Sequence, residues 1–202
     1  MSKIHKDSFG NIIGANGYPL NWDIYDINQG LFSYFKNGIK NTIPYRNITI
    51  PMVYKVIIGD YHKKITNNYR RTKAPSLKQQ MDYVTFSCVC SKRSERGVIS
   101  HSNMICIDFD HLDNIEQSRK FLLKETELQT LLLFTSPGGD GLKWIIHIDV
   151  SDEHHLSHFV AIRNYMQQQY NLEVDKACKD ISRACFIPHD PNCFINTNLF
   201  QL

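Results

Sequence analysis

From residue 83 onward, four apolar runs constrain the fold of this chain more than any other feature: YVTFSCVC, NMICIDFD, TLLLFTS and LKWIIHIDV. Each is rich in β-branched and aromatic residues and bounded by turn-forming text, so each predicts a strand. DNIEQSRKFLLKE follows the second run, with apolar residues at helical spacing behind an Asp/Asn start, and predicts an amphipathic helix. SDEHHLSHFVAIRNYMQQQYN follows the fourth and predicts a long helix with an acidic first turn, as the helix dipole favours. LEVD and then KDISRACFIPHDPNCFIN close the region with a short helix and one or two strands. From NMICIDFD onward the order is β-α-β-β-α-β, the split βαβ order. The expectation is an α+β fold, RRM-like, with helices packed on a mixed or antiparallel sheet.

The first part of the chain is less regular. Residues 1–20 predict an irregular arm. Residues 21–81 predict an N-terminal α/β extension of short β pieces, with turns at Asn37-Gly38 and Pro44. MVYKVIIGDYH predicts a short helix stopped by Gly59, and the basic stretch KKITNNYRRTKAPSLKQQM a short helix over 76–81. Residues 21–202 are expected to be one domain, with a sub-lobe over about 21–81 and a second module over about 82–202. The end at NTNLFQL lacks linker-like text, which suggests a domain cut from a longer protein.

Composition narrows the class. The 202 residues are 42% hydrophobic and 21% charged, as in an ordinary globular protein. A formal charge of +3 permits a nucleic-acid partner without requiring one. No run approaches a transmembrane length and MSKIHKDSFGN has no apolar signal core, so a cytoplasmic protein without a membrane partner is expected. None of the six cysteines forms a C-x-x-C pair, and buried free thiols are expected. Cys178, Cys185, His189 and Cys193 offer four zinc-type ligands, but their gaps match no common zinc module.

The chemistry concentrates at ICIDFDHL. Asp108 and Asp110 are two residues apart at the end of a predicted strand, so they share a face, about 6–7 Å apart at the Cα level. Two carboxylates so close repel unless a cation sits between them, and oxygen donors suit Mg²⁺ or Mn²⁺. On this argument, neutralising both aspartates leaves the metal-free fold as stable as before or slightly more so. Two exposed aspartates capping the strand and the next helix give the same text, although Asp113 is nearer that helix. TSPGGDGLKW then places three glycines between two strands, with Ser136 before them and Lys143 after. Glycines let a backbone approach a phosphate, and free N–H groups form an anion nest. The P-loop spacing is missing, and a plain β-turn is the simpler reading. Together the two features point to a metal–triphosphate. Asp175 is a candidate further metal ligand. Arg183 is a candidate phosphate clamp or an ion-pair partner of Asp180. His154 and His158 are four apart on the predicted helix and read as a solvated face. The turn His189-Asp190-Pro191 has no role that follows from spacing.

Asp-x-Asp, a Ser/Gly turn ending in a basic residue, a lone Asp and a downstream Arg, in that order, resemble the archaeo-eukaryotic primase superfamily, the primase–polymerases. Within it, the text from LKQQMDYVTFSCVCSKR to SRACFIPHDPNCF resembles the N-terminal domain of VirE-type proteins, which is often fused to a helicase-like ATPase. The resemblance runs from about residue 21 to the end and is strongest over 82–194. It implies a primase–polymerase-like fold and a metal-dependent nucleotidyltransferase of a mobile-element or phage-like replication system. Asp108, Asp110 and Asp175 would be catalytic metal ligands. Ser136, Gly139, Gly141, Lys143 and Arg183 would bind nucleotide. The implied cofactor is Mg²⁺ or Mn²⁺. The implied partners are nucleoside triphosphates, single-stranded or primed nucleic acid, and a fused or partner helicase-like ATPase. Primase–polymerases usually carry His where this chain has Lys143. Lysine holds a phosphate as a point charge but cannot act as a neutral imidazole. Arg70, Arg71, Lys73, Lys92 and Arg93, in two basic segments, are candidates for guiding a template, or plain solvated faces. Two alternatives stay open: a catalytically weak nucleotide- or nucleic-acid-binding module beside a helicase, and a metal-dependent nuclease using the same carboxylates.

Overall fold

The computed structural model describes residues 30–151 and 154–197, together with a short antiparallel ladder of β1 (His5–Lys6) and β2 (Ile12–Ile13). Apart from that ladder, the expected arm over 1–20 lies outside the described residues. The chain continues through β3 (Phe32–Phe35) and β4 (Arg46–Ile48) into three helices: α1 (Ile50–Ile58), α2 (Lys63–Thr72) and α3 (Pro75–Gln80). β5 (Tyr83–Thr85), β6 (Cys88–Cys90) and β7 (Val98–His101) precede β8 (Met104–Phe109) and α4 (Ile115–Lys124). β9 (Thr130–Thr135), β10 (Leu142–His147) and α5 (His155–Tyr170) follow, then β11 (Cys185–Phe186) and β12 (Phe194–Ile195).

The fold is mixed α+β with antiparallel sheets. One sheet has the order β12-β9-β10-β8 and the other β11-β5-β3-β4. The second sheet takes β3 and β4 from before residue 81 and β5 and β11 from after it. In the first sheet, β8 and β9 both run antiparallel to β10, which lies between them, so the β8-α4-β9 crossover is split as the element order predicts. The closing strand of that order is β12, which pairs with β9 at the far edge of the sheet rather than beside β8. LEVD is extended chain that meets β8 through one backbone bond, Asp175 N–H to Asp108 O, at 2.9 Å.

Residues alternate cleanly along β8. Ile105, Ile107 and Phe109 pack into the core shared with α4 and α5, beside Trp144, Phe159 and Met166. Met104 packs into the other core, between the two sheets, with Phe32, Tyr34, Val84, Phe86 and Ile145, and Cys106 lies against that core. Both faces of the first sheet are therefore covered, and its even-numbered β8 positions face the second sheet.

Two local expectations change. YVTFSCVC is not one strand: a turn at Phe86-Ser87 splits it, closed by Thr85 Oγ1 donating to Cys88 O at 3.0 Å. Its second half pairs with β7 rather than with either main sheet. KKITNNYRRT is a full helix, α2, with Thr66 its buried residue. Its inward side is a short stripe of Ile65, Thr66 and Tyr69, and its periodicity is carried mainly by the charged residues on the other side. Among the described residues, no helix is long and apolar enough to cross a membrane.

Candidate metal and nucleotide site

The two-residue period of β8 puts Asp108 on the side facing the second sheet, and Asp110 follows just past the strand's end at Phe109. Asp108 is 4% exposed, and the Asp110 side chain is half exposed. Burying an unpaired carboxylate is prohibitive, so Asp108 needs partners. The strand register supplies the first: Lys143 on β10 lies directly opposite Asp108. Its ammonium bonds Asp108 Oδ2 and stands 3.8 Å from Asp110 Oδ1. The cation between the two carboxylates is thus part of the chain.

Asp175 arrives through its backbone bond to Asp108 O and caps the 3₁₀ turn at 176–179, with Oδ1 accepting from Ala177 N–H at 2.9 Å. Arg183 bonds Asp175 Oδ2 and lies 3.5 Å from Asp108 Oδ2. The paired residue is Asp175 rather than Asp180, whose Oδ1 instead accepts from Ser182. One carboxylate oxygen from each of Asp108, Asp110 and Asp175 lies within 4.8 Å of the others. Two cations therefore face three carboxylates. Asp108 Oδ1 is buried without a hydrogen-bond partner. An all-oxygen donor set with excess negative charge and an orphaned buried oxygen fits a hard divalent cation.

The electrostatics follow from burial. Burial pushes the Asp108 carboxyl above the usual range and Lys143 pulls it back. Burial lowers Lys143, but Asp108, Cys185 and Asp110 outweigh it and hold the ammonium above the ordinary lysine range.

The glycine turn joins β9 and β10 as expected, but its amides are used differently. Ser136 N–H donates to Gly141 O at 2.8 Å and Gly139 N–H to Ser136 O at 3.0 Å. Gly141 is buried against β8, where an added Cβ would sit 2.3 Å from Phe109 O. Gly139 has φ +84°, which a side chain would strain. These glycines let the hairpin close against β8; the Gly139 amide is not presented as part of an open anion nest. The turn's carbonyls hold cations instead: Arg70 Nη2 donates to Ser136 O at 3.3 Å and Lys73 Nζ to Gly138 O at 2.6 Å. Two of the expected template-guiding residues thus brace the turn, while Arg71 and Lys92 are exposed. Arg93 donates from Nε to Tyr83 Oη at 3.1 Å.

The carboxylates form a wall between two clefts. On the side of the second sheet, a cleft of about 280 Å³ holds Asp108 together with Lys78, Arg93, Lys143 and Arg183, and aromatic walls from Phe86 and Phe186. On the other side, Asp110 and Asp175 line a shallower cleft of about 780 Å³ with Asp113, Glu173, Phe121 and Tyr170. One side is cationic and the other acidic. Lys78, Phe86 and Phe186 carry no sequence signal, because they reach the cleft only through the packing of the two sheets.

Other candidates settle elsewhere. Asn114, not Asp113, caps α4, accepting from Gln117 N–H at 3.0 Å. His158 donates to Asp149 O at 2.6 Å, and the buried histidine of that helix is His155. His189 donates from Nδ1 to Gly59 O at 2.9 Å. Asp190 accepts from Thr135 N–H at 2.6 Å and pairs with Arg119 at 3.4 Å, which ties β9 to α4. Cys178 packs in the core under α5, Cys185 and Cys193 pack in the core between the sheets, and Cys185 Sγ lies 3.9 Å from Cys106 Sγ. Among the described residues, the group of three or more potential ligands that comes together is the aspartate triad.

Comparison with curated proteins and with solved structures returns no match. Residues 76–194 match the family model described as BT4734-like, N-terminal domain, and the chain belongs to that family.

Proposed function

We propose that the chain is a metal-dependent nucleotidyltransferase of primase–polymerase type, acting with nucleoside triphosphates on a single-stranded or primed nucleic-acid template. One observation carries the proposal: three aspartates with an orphaned buried oxygen adjoin a cleft that also holds four cationic side chains. The split βαβ arrangement of β8, β9 and β10 is of the general α+β class that this reading expects. Asp108, Asp110 and Asp175 would hold Mg²⁺ or Mn²⁺, which supplies positive charge at the reacting phosphate and acidifies the attacking hydroxyl. Arg183 offers a planar fork and Lys143 a point charge to the triphosphate oxygens. Phe86 and Phe186 give the rest of the nucleotide apolar walls. In the reaction a 3′-hydroxyl attacks the α-phosphorus in line, a new P–O ester bond forms, and pyrophosphate leaves. Buried, pre-oriented cations stabilise developing phosphate charge better than water does.

The test combines calorimetry with primer extension. Triphosphate should bind in the presence of Mn²⁺, and Lys143→Ala should weaken binding by about 1.5–3 kcal/mol. Unchanged affinity removes Lys143 from the phosphate site. Incorporation on a primed single strand should require Asp110. One observation favours the second reading, a catalytically weak binding module: Lys143 sits directly on Asp108, at the position where primase–polymerases usually carry imidazole. Tight triphosphate binding without incorporation would select that reading.

A further inference from the structure

Lys143 has two tasks that exclude each other. Its ammonium bonds Asp108 Oδ2 and approaches Asp110 Oδ1 at 3.8 Å, so it occupies oxygens that a divalent cation would take. The same side chain lines the cationic cleft where a triphosphate would lie. Its backbone cannot move to satisfy both, because β10 is paired to β8 on one side and β9 on the other. The freedom left is rotation of the four-carbon stem, toward the carboxylates or toward the cleft. Arg183 is held differently, shared between Asp175 and Asp108. Among the described residues, the buried carboxylate oxygen without a hydrogen-bond partner is Asp108 Oδ1. A divalent ion arriving alone meets the Lys143 ammonium across the same carboxylates and is repelled by it. A triphosphate reverses that balance, because it attracts the ammonium into the cleft and exposes Asp108 Oδ2.

We propose that Lys143 is a counter-ion gate: it covers the carboxylates against divalent cations until a triphosphate draws its ammonium away, so that metal and nucleotide enter as a coupled pair. The inference rests on the nucleotidyltransferase reading of this site. Coupling of this kind is reciprocal, and typical values are about 5–150-fold in affinity.

The test reads binding, not turnover. Mn²⁺ is titrated into nucleotide-free wild type, Lys143→Met and Lys143→Arg by calorimetry, with melting curves in EDTA to verify folding. Lys143→Met should bind Mn²⁺ at least about 5-fold more tightly than wild type, and Lys143→Arg, which keeps a cation, should stay near wild type. Equal Mn²⁺ affinity in wild type and Lys143→Met overturns the gate. Should Lys143→Met not fold, the wild type alone decides, through the ¹³Cε resonance of Lys143 assigned with the arginine variant. A non-hydrolysable triphosphate in EDTA should shift that resonance and Mg²⁺ alone should not. A comparable shift with Mg²⁺ alone overturns the gate and leaves the nucleotide site standing. If no triphosphate binds in either condition, the nucleotidyltransferase reading falls and the gate falls with it.

Discussion

At the scale of the residue, the Asp108–Lys143 pair reverses an argument made from sequence. Repulsion between Asp108 and Asp110 implies that neutralising both costs nothing without metal. Lys143, only 8% exposed, changes the sign, because removing Asp108 strands a buried ammonium. Asp108→Asn is expected to destabilise the metal-free protein by about 3–5 kcal/mol, the usual result of breaking a buried pair. Asp110→Asn, at a half-exposed position, should stay within about 0.5 kcal/mol. Denaturant melts in EDTA measure both. A second residue-scale prediction concerns acid. Asn103 N–H donates to His101 Nδ1, so Nε2 carries the proton and donates to His155 Nδ1 at 3.1 Å. His155 Nε2 then donates to Cys178 O. Burial, with His155 and His158 nearby, holds His101 down to about 4, and burial lowers His155 as well. Bases lowered on folding contribute stability that is complete above the unfolded value of about 6.5 and lost as the pH falls toward the folded value. Stability should therefore decline from pH 6.5 toward 4, and less steeply in His101→Gln. Equal slopes in the two proteins would remove the histidine pair from the acid response.

At the scale of the element, the β9–β10 hairpin shows which part of a glycine-rich turn is readable. Its position and its antiparallel strands follow from the text on either side. The function of each glycine does not. Gly141 is required by Phe109 O, a backbone atom of a strand far from it in sequence. Gly141→Ala is expected to lose about 1–3 kcal/mol of stability through overpacking, and to weaken triphosphate binding by shifting Lys143 against Asp108. A melt and a calorimetric titration on the one variant check both effects. Helix α2 is the opposite case. Its value lies in Arg70 and the capping Lys73, which hold the turn's carbonyls, and its periodicity comes from where its charges fall rather than from a wide apolar stripe.

At the scale of the whole molecule, the cleft exists because the two sheets face each other. Val53, Tyr54 and Ile57 of α1, with Phe32 and Tyr34 of β3, form one core with Val84, Phe86, Phe134 and Ile145. The family match begins at residue 76, after all of the α1 and β3 contributors. A chain trimmed to 76–194 would keep β5 and β11 but lose β3, β4 and α1, leaving the inner side of the first sheet partly uncovered. It is expected to keep secondary structure but lose fixed packing, seen as weak near-ultraviolet circular dichroism and strong binding of a hydrophobic dye. A sharp cooperative melt of that fragment would show β3, β4 and α1 to be dispensable.

The sequence by itself determined the elements from residue 103 to 171, because hydrophobic periodicity is a local property that a short window carries. It also brought the carboxylates of Asp108 and Asp110 together at the end of a strand, although Asp110 lies just past β8 rather than on its face. Tertiary structure alone decided what those aspartates meet. β8 and β10 are not neighbours in sequence, and their register depends on how the whole sheet packs between helices and the second sheet. That register sets Lys143 opposite Asp108, and a slip of one residue would turn Lys143 into the core beneath α4 and α5. The arrival of Asp175 depends likewise on one backbone bond from extended chain to β8. A charge placed on a strand is a local fact, but its partner is chosen by long-range packing, and the partner decides whether the carboxylate lies bare or already covered by a cation.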